Sequence, residues 1–85
     1  MNESEIVIHK FAVCINNDEY PVSLELHKLY PIIPDEDAEQ EGDLRVIDES
    51  GEDYLYPAEF FLVVDFSPPV EQALHTSFTR ALQPA

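Results

Sequence analysis

Leu44-Arg45-Val46-Ile47-Asp48-Glu49-Ser50-Gly51-Glu52-Asp53-Tyr54-Leu55-Tyr56-Pro57 is the stretch that decides the fold. Two short runs rich in strand-favouring residues flank a cluster of turn formers, and Gly51 is free to take a positive φ. The pattern predicts a β-hairpin whose return strand, Tyr54–Tyr56, stops at Pro57. Tyr54 and Tyr56 are two apart and share a face, with Leu55 on the other. If Leu55 points into the core, both rings point outward or into a groove, where Tyr30 and Phe60 could join them. A ring then supplies contact area while its hydroxyl stays wet.

Outward from the hairpin the same period recurs. Phe11, Val13 and Ile15 fall on one face and Ala12 and Cys14 on the other, so the apolar segment from Ile6 to Ile15 suits a strand covered on both sides. Asn16-Asn17-Asp18-Glu19 is a turn cluster. Val22, Leu24 and Leu26 alternate with Ser23 and Glu25, as a second strand or a wide excursion loop, and Pro21 argues against a fully paired central strand. Leu29–Ile33 reads as a short strand that Pro31 pushes toward an edge or bulge. Pro34 opens an acidic loop over 35–43, and Phe60–Val64 reads as a last, buried strand.

The tail changes period. Ser67 can cap, Pro68 suits a first helical position, and Val70, Leu74, Phe78 and Ala81 or Leu82 follow at helical spacing. The spacing predicts a helix over 68–82, with Arg80 complementing its dipole and Pro84 ending it. The expected organisation is a barrel domain over 1–66 followed by the helix and tail, 67–85.

The chain has 85 residues, 45% of them hydrophobic and 11% aromatic, enough for one core and too many for a disordered acidic tail. Eighteen acidic against four basic side chains leave a net charge of −14. That argues against nucleic acid, whose affinity rests on Lys and Arg at phosphates, and against anionic membranes. Between Asp35 and Asp53 ten acidic residues face Arg45 alone, as a loop and a hairpin tip at opposite ends of one strand. Such a surface either docks a basic partner or simply keeps the chain in solution.

Chemistry is harder to find. An EF-hand begun at Asp35 fails at Gln40, where Gly is needed, and at Val46, where Glu is needed. His9, His27, His75 and Cys14 match no zinc spacing. Cys14 sits in an apolar run, as a buried thiol does. With Gly42 and Gly51 the only glycines, there is no phosphate-cradling loop. No catalytic residue, metal ligand or cofactor is expected, and the chain does not read as an enzyme. The lone cysteine, the acidic N-terminus and the lack of an apolar run near the ~20 residues of a membrane span point to the cytoplasm.

Cys14-Ile15-Asn16-Asn17, Ser23-Leu24 through Lys28-Leu29-Tyr30, and above all the hairpin from Leu44 to Pro57 and on to Phe60 carry a resemblance. Over about Phe11 to Phe66 the chain resembles a group of short, uncharacterised bacterial proteins with an SH3-like small barrel. The resemblance implies architecture rather than activity. There is no tryptophan for a peptide groove and no Ala-Leu-Tyr-Asp-Tyr signature, so polyproline recognition is not implied. Where similar barrels often place glycine before the lysine, this chain has His27.

Together these readings give a mainly β, SH3-like barrel of about five strands with a C-terminal α-helix. The leading functional expectation is a non-catalytic interaction module that presents Tyr30, Tyr54, Tyr56, Phe60, Asp48, Glu49, Glu52 and Asp53 to a protein partner with a basic surface. The alternative is a small metal-dependent regulator or enzyme using the loop 35–43. A homodimer through Val70, Leu74 and Phe78 is open if those residues do not bury against the barrel.

Overall fold

Alternation of branched and aromatic residues with polar ones produces five short strands, and the helical spacing of the tail produces the longer helix. The computed structural model describes residues 10–82. In chain order the elements are β1 (Lys10–Cys14), β2 (Leu29–Ile33), α1 (Glu36–Gln40), β3 (Asp43–Ile47), β4 (Asp53–Pro57), a 3-10 turn (Ala58–Phe60), β5 (Phe61–Val64) and α2 (Pro68–Leu82). The strands form one antiparallel sheet in the order β4-β3-β2-β1-β5, curled into a half-barrel. The fold is mainly β, a small SH3-like barrel with a C-terminal helix. The Ile6–His9 part of the first apolar segment and Pro84 lie outside the described residues.

Both faces of β1 are covered, as its alternation requires. Ala12 and Cys14 join Tyr30, Ile32, Leu44, Val46, Tyr56, Phe60 and Phe61 in the core of the concave face. Phe11 packs on the other face with Ile47, under Leu29, Ile33, Phe66, Leu74 and Phe78. Leu74 and Phe78 are one turn apart on α2, and the Phe78 ring lies 5.4 Å from that of Phe11. Those two side chains therefore bury against their own barrel.

Leu55 and Val63 were expected in the core, and both are instead substantially exposed, at 46% and 49%. They lie on β4 and β5, the two edge strands, where one flank of each residue has no neighbouring strand among the described residues. Pro31 was expected at an edge or bulge and is instead buried in β2, between β1 and β3. It faces Phe11 at a non-hydrogen-bonded position, so its missing N–H takes no bond from β1, and on its other side the β2–β3 ladder begins only at Ile32↔Val46.

Val22, Leu24 and Leu26 do not form a strand. They belong to the excursion 15–28, in which Leu24 alone plugs the core while Val22 and Leu26 face out. Asn17 Nδ2 donates to Leu24 O at 2.9 Å and holds the loop's shape. His27 closes it with φ +66, the left-handed region that glycine enters freely, and its N–H donates to Cys14 O at 2.7 Å. The acidic segment 35–43 is also not a plain loop. Asp35 caps α1 by accepting from Ala38 N at 3.0 Å, and Ala38 is buried beneath it.

Candidate functional site

The hairpin tip is built on Asp48, a carboxylate only 6% exposed. Its Oδ1 accepts from Ser50 N (2.9 Å) and Ser50 Oγ (2.5 Å), an Asx-type turn, while Glu52 N donates to Ser50 Oγ at 3.2 Å. Gly51, at φ +84, donates its N–H to Asp48 O at 3.0 Å. Asp48 Oδ2 accepts from the Tyr56 hydroxyl at 2.5 Å. Burial together with that carboxylate pushes the Tyr56 phenol up to about 12.

Glu49 fastens the tip to the rest of the molecule. Its N–H donates to Ser23 O at 3.0 Å, and its Oε2 accepts from Lys28 Nζ (2.7 Å) and from the Tyr30 hydroxyl (2.5 Å). The same hydroxyl accepts from Glu25 N at 2.7 Å, so one phenol stitches the excursion loop to the hairpin. Lys28, then Tyr30, hold the Glu49 carboxyl below the usual carboxylate range. Burial, then the Glu49 contact, drive the Tyr30 phenol well above its ordinary value.

The eight residues expected to face a partner thus divide. Tyr30, Tyr56, Phe60 and Asp48 are buried, with the rings in the core and the carboxylate under the turn. Tyr54, Glu49, Glu52 and Asp53 lie at the surface. Tyr54 and Tyr56 do share a face, but it is the concave one, because Leu55 points outward. Tyr54 stays 51% exposed at the open end, with its hydroxyl donating to Glu52 Oε1 at 3.1 Å. That contact raises the Tyr54 phenol.

Beside the hairpin lies a shallow cleft of about 350 Å3, walled by Tyr20, Ser23, Asp48, Tyr54, Leu55 and Tyr56. Tyr20 meets Tyr56 edge to face at 4.9 Å between centroids. Neither Tyr20 nor Ser23 stood out in the sequence. The available signal was the turn cluster Asn16–Glu19, which folds the chain back and delivers Tyr20 onto the return strand.

Electrostatically, three of the four basic side chains are bound within the fold. Lys10 pairs with Asp65 and Lys28 with Glu49, while Arg45 spans Asp35 (2.7 Å) and Asp53 (2.8 Å), tying the acidic loop to the hairpin across the outer face. Asp18 and Glu19 beside Tyr20, Glu52 beside Tyr54, and Glu59 beyond β4 make no ion pair among the described residues. Asp35, the first residue of the loop considered for a metal, already serves the Ala38 N–H and Arg45, which together hold its carboxyl low. Among the described residues no three His, Cys, Asp or Glu side chains converge as a metal site would need, and no helix is long and apolar enough to cross a membrane. Comparison of the chain with protein families, curated proteins and solved structures found no match.

Proposed function

We propose that the protein is a non-catalytic interaction module that receives a basic segment of a protein partner at the cleft between the excursion loop and β4. The observation that carries this reading is the composition of the cleft's rim. Tyr54 offers a half-exposed ring, Tyr20 and Tyr56 form a fixed aromatic floor, and Glu52, bonded to the Tyr54 hydroxyl, with Asp18 and Glu19, which precede Tyr20 in the chain, carries charge that no basic side chain pairs with among the described residues. A lysine or arginine of the partner gains from the tyrosine faces and from the field at once.

The rigid base favours binding, since the hydrogen bonds of Asp48 and Glu49 hold the cleft walls before any partner arrives. Partner capture by the whole chain at low and high ionic strength tests the reading, with Tyr54→Ala and Glu52→Gln as comparisons. Binding weakened by salt and by both substitutions supports it. A partner held equally well at both ionic strengths overturns it.

A further inference from the structure

β4 is an edge of the sheet, and its register reveals which backbone groups it leaves unused. Asp48 N donates to Glu52 O and Ala58 N to Gly42 O, and the pairs between them keep one register, Leu44↔Tyr56, Arg45↔Leu55, Val46↔Tyr54 and Ile47↔Asp53. Bonded and non-bonded pairs alternate in an antiparallel ladder, so Tyr54 and Tyr56 turn their N–H and C=O groups toward β3. Asp53, Leu55 and Pro57 turn theirs away from it. Among the described residues no strand takes up those outward groups, and Pro57 has no N–H to offer.

Sheet edges invite another strand unless something blocks them. The residues flanking β4, Glu52 and Glu59, are acidic and make no ion pair among the described residues, while Asp53 at its start is held by Arg45. A second copy of this chain, itself at −14, is repelled by such an edge, whereas a cationic strand is drawn to it. We propose that a basic, extended segment of a partner protein adds to β4 as a further antiparallel or parallel strand. It bonds the Asp53 and Leu55 backbone and places alternate side chains against Tyr54 on the concave face and Leu55 on the outer one. This inference rests on the docking reading above and states the form the partner takes.

The test uses the full chain and two decapeptide probes, one alternating Lys and Val, the other alternating Lys and Pro with equal charge but far fewer backbone donors. Saturation with the Lys/Val peptide is expected to slow exchange of the Leu55 amide by about tenfold or more. Leu55→Pro, which deletes an N–H that β3 does not use, is expected to weaken that peptide about tenfold and leave the Lys/Pro peptide unchanged. Leu55→Thr keeps the N–H and should retain most of the affinity. An unchanged Leu55 amide in the saturated complex, or protection of Val63 on the opposite edge instead, overturns the strand addition, and salt-sensitive binding would still leave the acidic docking reading standing. Failure of both peptides to bind at low ionic strength overturns both readings. The exchange measurement needs no variant, so a Leu55→Pro chain that fails to fold does not block the decision.

Discussion

The Tyr56 hydroxyl donates to Asp48 Oδ2 at 2.5 Å, joining the first residue of the hairpin turn to the return strand from inside the core. Because Asp48 Oδ1 simultaneously holds Ser50, a single buried carboxylate sets both the turn and the placement of the ring beneath the cleft. A buried carboxylate persists only when its oxygens are used, and here both are.

Removing that carboxylate should therefore cost more than a surface charge would. Asp48→Ala is expected to destabilise the chain by about 2–3 kcal/mol, through the orphaned Tyr56 hydroxyl and the unlaced turn, and Tyr56→Phe by about 1–2 kcal/mol. Denaturant unfolding checks both. The double variant should lose less than the sum of the two, as groups sharing one bond do, and strict additivity would show that the contact contributes nothing.

Acid should loosen the join between loop and hairpin. The folded state depresses the Glu49 carboxyl from its ordinary 4.5, so its stabilisation is complete above that value and fades as pH falls through the lower folded one. Asp35 acts in the same direction from 3.8. Stability measured from pH 6 downward should fall below about pH 4.5, and Glu49→Gln should flatten that fall.

Alkali acts through the opposite sign. The Tyr56 phenol rises from 10 to about 12 on folding, so its neutral form is favoured in the folded chain. That stabilisation is full below pH 10 and is lost as pH climbs toward 12. Unfolding followed by phenolate absorbance should start near pH 10, and Tyr56→Phe should lower the number of tyrosines released with it.

His27 holds φ +66 without being glycine. The left-handed conformation costs a side-chain-bearing residue about 1–2 kcal/mol, against about 0.5–1 kcal/mol for the extra entropy glycine loses on folding. His27→Gly is expected to gain about 0.5–1 kcal/mol on those figures, and His27→Val to lose stability. Thermal melting of the two variants would settle the sign.

The helix should betray its docked face. Phe78 packs on Phe11, while Val70 is exposed on the same element. Phe78→Ala is expected to destabilise by about 1–3 kcal/mol, less than a fully buried ring, and Val70→Ala by under about 0.5 kcal/mol. Equal effects, or a mass change on sedimentation of the Phe78 variant alone, would mean that the helix packs elsewhere.

Much of the architecture was legible along the chain. The helix over 68–82 could be read because Pro68 and the Val70, Leu74, Phe78 spacing are local signals, and the hairpin because Gly51 and the turn formers sit between two apolar runs. Cys14 and Ala12 opposite Phe11 announced a strand with two covered faces. The helical turn at 36–40 was missed, since five residues of charge carry no periodicity and only the Asp35 cap with buried Ala38 makes it hold.

The candidate site was less legible, for a reason that period-two patterns share. Alternation tells which residues lie on one face, and so Tyr54 and Tyr56 were rightly placed together. It does not tell which face is inside, or how many neighbours a strand has. That was decided by the sheet order, which put β4 and β5 at the edges, turned Leu55 outward and buried Tyr56, and by the excursion loop, which brought Tyr20 and Ser23 from thirty or so residues away. Local sequence determined the strands, the turn and the helix because their energetics are local. The roles of Asp48, Glu49 and Tyr30 depend on contacts between distant segments, and only the closed barrel could assign them.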